Sequence, residues 1–188
     1  MTIFDKACIG LIGFGVVLAA GAGAQAFELT SPDIAEGAVI ADTHVFDGFG
    51  CTGGNVSPAL AWSDAPEGTQ SYALMVHDPD APTGGAGFWH WIVLDIPADA
   101  EGLEQGAGAA EGGAMPEGTT TIVNDYGIVG WGGPCPPEGD DPHRYNFTLY
   151  AMPAANLEVP EGASKAVTGF LINANALGTA TLQGTYGR

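Results

Sequence analysis

Apolar residues fall in short blocks separated by turn-forming residues. Tyr72 to His77 is a compact apolar run stopped by Asp78-Pro79, which predicts a buried strand ending in a turn. Phe88 to Ile96 predicts a second strand, closed by Pro97. With a strict period of two, His90, Ile92, Leu94 and Ile96 take one face of it and Trp89, Trp91, Val93 and Asp95 the other. His143 to Met152 alternates in the same way, with His143, Tyr145, Phe147 and Leu149 opposite Arg144, Asn146, Thr148 and Tyr150. Thr119 to Val123 and Ala180 to Tyr186 predict shorter strands, and the acidic, turn-rich stretch 27–71 predicts several more. One helix is signalled by Ser164 as N-cap, by Val167, Phe170, Leu171 and Leu177 at helical spacing, and by Gly178 as its stop. Pro97 to Pro116 reads as an exposed connection, and Tyr126 to Pro142 is too broken by Gly and Pro for regular structure. Strands with one late helix, not alternating βα units, predict a mainly β fold, most simply an antiparallel sandwich.

Composition supports a core of useful size. The 188 residues are 46% hydrophobic and include 8 Phe, 5 Tyr and 4 Trp, enough for one domain. The 30 Gly and 13 Pro are interleaved with the apolar blocks, as short strands joined by many turns require. Charge changes the functional picture more. Four Lys and Arg stand against 22 Asp and Glu, a net charge of −18. No nucleic acid partner is expected, because a phosphate backbone is neutralised by basic residues that this chain lacks. An anionic membrane surface would repel it for the same reason.

Residues 1–26 read as a secretory signal peptide, with an apolar run from Ile9 to Ala20 and the ending Ala24-Gln25-Ala26. Cleavage would leave residues 27–188 as a single exported domain, periplasmic or secreted, without stable membrane insertion. Asp5 beside the lone Lys6 weakens the basic start, so an uncleaved membrane anchor is the alternative. Cleavage also removes Cys8 and leaves Cys51 and Cys135. An even pair in an exported protein argues for one disulfide across a long loop, contributing roughly 3–4 kcal/mol by loop entropy. Two buried free thiols are the other reading.

The polar residues that stand out lie at breaks between apolar runs: Asp78 and Asp80 in Asp-Pro-Asp-Ala-Pro, His90 between Trp89 and Trp91, and His143-Arg144-Tyr145. Carboxylates, imidazoles and a phenol beside a Pro-lined wall make a small pocket able to hydrogen-bond an oxyanion. With so few cations, positive charge there must come from histidine paired with a carboxylate and from turn N–H groups. Arg144, on the strand face opposite His143 and Tyr145, ties down a carboxylate instead of touching the same ligand. Each residue also has a purely structural reading. Asp78 and Asp80 can be turn formers, His90 a satisfied half-buried histidine, and Trp89 and Trp91 core or pocket wall. His44 and His77 are read as structural. A Gly-x-Ser-x-Gly elbow, a His-Glu-x-x-His or Cys-x-x-Cys metal pattern and a phosphate-binding Gly loop are all missing, so no metal or cofactor is expected.

Asn55-Val-Ser-Pro58 followed by Trp62, Asp78-Pro-Asp-Ala-Pro82, Phe88-Trp-His-Trp91, Gly133-Pro-Cys-Pro-Pro137 and His143-Arg-Tyr145 occur in this order along residues 29–188. In order and spacing they resemble the phosphatidylethanolamine-binding protein (PEBP) family, most closely its bacterial, Raf-kinase-inhibitor-like branch. The resemblance implies a Greek-key β-sandwich of two antiparallel sheets with a short C-terminal helix. It also implies a pocket formed by Asp78, His90, Pro137, His143 and Tyr145, supported by Asp80, Trp89, Trp91 and Arg144. Family ligands are phosphate-like groups, including phospholipid head groups. The resemblance makes the prolines of the two Pro-rich motifs candidates for a cis peptide bond. It places the Cys51–Cys135 bridge between two loops beside the pocket, and gives Tyr186 no clear ligand role. A non-enzymatic binding protein is the leading reading. A hydrolase using a His-Asp pair and a protein-interaction or inhibitor module are the alternatives.

Overall fold

The computed structural model describes residues 26–188, so the expected signal segment, apart from Ala26, lies outside the described residues. In chain order the strands are β1 (Glu28–Thr30), β2 (Asp47–Gly48), β3 (Cys51–Thr52), β4 (Leu60–Ser63), β5 (Ser71–Asp78), β6 (Phe88–Pro97), β7 (Gly102–Leu103), β8 (Thr120–Ile122), β9 (His143–Met152) and β10 (Gly178–Tyr186). A single α-helix among the described residues, α1 (Lys165–Asn175), precedes β10. Five strands form a sheet in the order β10-β9-β5-β6-β8, three form a smaller sheet β1-β4-β7, and β2 pairs with β3. Every strand pairing is antiparallel. The fold is thus mainly β with one short helix, as the apolar spacing predicts.

The large sheet is covered on both faces. Tyr72, Leu74 and Val76 of β5 and Tyr145, Phe147 and Leu149 of β9 meet Leu29, Leu60, Trp62 and Leu103 of the small sheet in the main core. Ala73 and Met75 of β5 and Tyr150 and Met152 of β9 form a second cluster with Ile172 of α1. Burial on both sides explains why β5 is a continuous apolar run while β9 begins by alternating.

Strand β6 departs from strict alternation at two bulges. Val76 pairs with Trp91 but His77 with Trp89, and Leu74 pairs with Val93 but Tyr72 with Ile96, so β6 carries one extra residue at each place. Asp95, at the second, adopts φ 59° and accepts a hydrogen bond from the Leu157 N–H at 2.8 Å. Trp91, Val93 and Ile96 therefore enter the main core, while Ile92, Leu94 and the half-buried Trp89 belong to the helix side. Trp89 and Trp91 do not share a face, nor do Ile92 and Ile96.

Other expectations are also corrected. Ser164 caps α1, its Oγ accepting from the Val167 N–H at 3.3 Å, but the buried face is Thr168 and Ile172. Phe170 is 69% exposed, and Val167 and Leu177 are also outside the core. Gly178 opens β10 instead of stopping the helix, which ends at Asn175. The stretch after Pro97 is not merely an exposed connection: β7 pairs with β4, and Leu103 and Ala107 are buried. Cis peptide bonds are absent among the described residues, so the proline expectation is not met.

Candidate functional site

Three neighbouring strands, β9, β5 and β6, bring their chemistry to one end of the large sheet. Asp78 is the last residue of β5, His143 the first of β9, and His90 sits at the first bulge of β6. All three are buried, at 3%, 4% and 2% exposure, although their polar groups face a cavity of about 320 Å³. The sheet backbone fixes all three Cα positions, and the bulge turns His90 to the Tyr145 side, where the two rings meet edge to face at 5.1 Å.

Asp78 is fully committed. Its Oδ1 accepts the backbone N–H groups of Asp80 (2.8 Å) and Ala81 (3.0 Å), which closes the Asp-Pro-Asp-Ala-Pro turn, and its Oδ2 accepts from His143 Nδ1 at 2.8 Å. The turn-former reading of Asp78 holds on one oxygen, and the other oxygen is bonded to His143. The bond to Asp78 orients His143 and leaves its Nε2 3.6 Å from Asp140. Asp80 faces away from the cavity and takes the Arg144 side chain in a forked pair at 2.6 and 2.8 Å. The guanidinium holds the Asp80 carboxyl down at about 2.

His90 Nδ1 lies 2.6 Å from the Gly132 carbonyl oxygen. A carbonyl only accepts, so Nδ1 carries the hydrogen, and Nε2 is left without a protein partner. Burial lowers His90 to about 4, well below an ordinary imidazole, so it is neutral at physiological pH. His90 therefore does not supply the positive charge expected of the paired histidines. Tyr145 lies beneath the cavity, fully buried and outside its lining, with an unpartnered hydroxyl held in its protonated form by burial.

The walls are mostly apolar. Pro82, Phe88, Tyr126, Pro136 and Pro137 line the cavity, and the 77% exposed Phe49 stands at its lip. Cys51 and Cys135 form the disulfide, so the Phe49 loop and the Pro136-Pro137 wall are covalently joined. Arg188 links the same two loops, donating to the Pro136 and Gly50 carbonyls at 2.7 and 3.0 Å. Asn55 reinforces the wall from behind, its Oδ1 accepting the Gly133 N–H at 2.9 Å. Gly133 must lack a side chain, because a Cβ there would run into the His44 carbonyl oxygen.

Of the residues expected at the site, Asp78, His90, Pro137 and His143 come together in the lining, with Tyr145 directly below His90. Asp80 and Arg144 act one layer out. Trp91 packs on Trp131 in the core, and Trp89 stacks near His77 on the other face of the sheet, so neither lines the cavity. Tyr186 bonds Asp42 at 3.3 Å, away from it. Sequence reasoning missed Phe49, Tyr126, Asp125 and Asp140, which sit in turn-rich segments without periodicity. Phe49 and Tyr126 belong to an aromatic set in which Tyr126 stacks on Phe46 at 3.9 Å, and no local pattern announces such a contact between distant loops. A metal-binding group of three or more His, Cys, Asp or Glu is absent among the described residues, and no described helix is long and apolar enough to cross a membrane.

The chain is thus an antiparallel β protein that gathers an aspartate, two histidines and a Pro-rich wall at one sheet end. The family model for phosphatidylethanolamine-binding protein matches residues 30–187, and the chain belongs to that family. Among curated proteins it is 47% identical to the UPF0098 protein YbcL of Escherichia coli over 87% of this chain and 88% of YbcL. It is 40% identical to LppC of Mycobacterium tuberculosis, whose name marks it as a candidate lipoprotein, over 87% of this chain and 73% of LppC. The crystal structure of E. coli YbcL, described as a new member of the mammalian PEBP family, superposes with a TM-score of 0.82. That match has 46% identity and covers 86% of this chain and 98% of that one.

Proposed function

We propose that the protein is an exported binding protein whose cavity accepts the anionic group of a small ligand (phosphate, a phosphorylated head group or a carboxylate) without turning it over. The observation that carries the reading is the His143–Asp78 pair at 2.8 Å, which points His143 Nε2 toward the cavity. When protonated, an imidazole held in this way donates from Nδ1 to Asp78 and from Nε2 to an anion. The apolar walls and the cavity of about 320 Å³ suit a small ligand with a compact polar end. Export is supported by the signal-like start of the sequence and by the lipoprotein name of one relative. The −18 charge argues against nucleic acid and anionic bilayers as partners.

The test is calorimetric titration with phosphate and phosphoethanolamine. His143→Ala should weaken binding at least about ten-fold, the value of one charge-assisted hydrogen bond. Unchanged affinity in that variant rejects the assignment. The same His143–Asp78 bond also favours a second reading, a general base acting on a bound ester. Turnover of an ester and phosphoester panel, abolished by His143→Ala, would establish that reading in place of the first.

A further inference from the structure

The negative charge of the chain is unevenly placed. All 22 Asp and Glu fall before residue 162. Residues 162–188, which form α1 and β10, contain none of them and hold Lys165 and Arg188, two of the four bases. The helix carries two stripes. Thr168 and Ile172 are buried against the sheet, while Val167, Phe170 and Ala174, at helical spacing, form a second, apolar stripe that continues into Leu177 and is open to solvent. Beside α1, the same face of the sheet runs on over Thr179, Thr181 and Gln183 of β10, which pair with Tyr150, Thr148 and Asn146 of β9. Tyr150 packs with Ile172, so helix and strands make one surface with no charge in its middle. Acids stop at its border, where Asp125 is tied to Lys165 at 2.9 Å, Asp80 to Arg144 at 2.6 Å, and Glu36 to the Gln183 N–H at 3.0 Å. Neither the apolar stripe nor this part of β10 lines the cavity.

We propose that this face is a self-association surface, on which a second copy of the chain docks through α1 in a symmetric pair. Its neutrality decides the occupant. A two-fold contact sets each residue against the same surface of the other copy, so an acid there would face an acid. In a chain of net charge −18, the acid-free face is where two copies can meet without that repulsion. A basic partner would instead gain by docking on the acidic remainder, and a surface stripped of charge would offer it no attraction. An apolar centre depleted of charge is also the composition of an interface core. The helix suits a two-fold axis, because Phe170 is the middle residue of α1 (Lys165–Asn175). Two antiparallel helices crossing there bring the Phe170 rings together and set Ala166 of each beside Ala174 of the other, where small side chains allow close approach. The face measures about 30 Å along β10 and about 20 Å across helix and strands, roughly 600 Å². That is below the roughly 800 Å² per partner of a standard complex, so the pair is reversible, with a Kd on the order of micromolar or weaker.

The experiment is sedimentation velocity on the wild-type protein from about 1 to about 500 µM, in about 10 mM and about 150 mM NaCl. A dimer should form at the higher concentrations. It should be at least about ten-fold tighter at the higher salt, because the Debye length shrinks from about 30 to about 8 Å and screens the two acidic chains from each other. Phe170→Glu places a charge at the axis and should leave a monomer throughout. Its urea unfolding, measured at about 1 µM, should match wild type, since the position is exposed. Thr181→Glu, on β10, should weaken association about ten-fold or more, and Phe49→Ser, at the cavity lip, should leave it unchanged. A wild-type monomer under every condition overturns the proposal, as does a dimer that Phe170→Glu and Thr181→Glu leave intact or that Phe49→Ser dissolves. Association that weakens as salt rises overturns it as well. Flotation with phosphatidylcholine vesicles tests the remaining occupant: binding by wild type but not by Phe170→Glu, without self-association, assigns the face to a lipid surface and rejects the pair.

Discussion

Two histidines on strands of one sheet have very different surroundings. His143 has a carboxylate at each ring nitrogen, whereas His90 has a carbonyl on one side and no protein partner on the other. The burial of His90 links it to stability. Its folded-state pKa, about 4, lies below the unfolded value near 6.5, so the unfolded chain takes up a proton first as pH falls. The stability is present in full above pH 6.5 and is lost as pH falls toward 4. At pH 4.5 this amounts to about 2–3 kcal/mol, and urea unfolding of wild type and His90→Phe at pH 7 and 4.5 should show a smaller acid loss in the variant. Much of this residue-level detail was legible beforehand. Asp78 and His143 stand at strand ends beside prolines, and His90 lies near the start of a strand, where a sheet presents side chains to a cleft. The neutrality of His90 was not legible, because it depends on burial that only the folded packing supplies, against a Gly132 carbonyl 42 positions away that by itself favours the charged ring.

At the scale of elements, local period foretold β5, β9, β10 and the presence of α1, since each is long enough for its pattern to dominate. It failed where one extra residue breaks the count. The two bulges in β6 exchange the faces of Trp89 and Ile96 without changing composition at all, so strict alternation could not reveal them. The helix shows a related failure, as Val167, Phe170 and Leu177 satisfy helical spacing yet lie on or beyond the exposed side. What decides the face is the surface it meets, here Met75, Ile92 and Leu94 of the large sheet. A pair of variants checks this. Ile172→Ala, at full burial, should cost about 2–4 kcal/mol in thermal or urea unfolding, while Phe170→Ala should fall within about 0.5 kcal/mol of wild type. A reversed order would mean that the helix packs by the face its spacing suggests.

For the whole molecule, an excess of 18 negative charges does not attract an anion over distance, so the proposed anion site depends on short-range bonds in a rigid setting. That rigidity is built from parts far apart in sequence. The cavity wall at Pro136-Pro137 and the lip at Phe49 belong to loops without a strand ladder between them, and Cys51–Cys135 spans 84 positions to join them. Closing so long a loop stabilises the folded state by roughly 4 kcal/mol through the entropy removed from the unfolded chain. The bond thus serves two purposes that one experiment can separate. In the Cys51→Ser, Cys135→Ser double variant, urea unfolding should show the stability loss, and phosphate titration well below the unfolding midpoint should show weaker binding with Asp78 and His143 unaltered. Ligand affinity equal to wild type would mean that the remaining bonds, chiefly those of Arg188 to Pro136 and Gly50 and of Asn55 to Gly133, hold the wall without the disulfide. In that case the disulfide stabilises the chain without shaping the cavity, and Arg188→Ala in the double variant should then release the wall and lower the affinity.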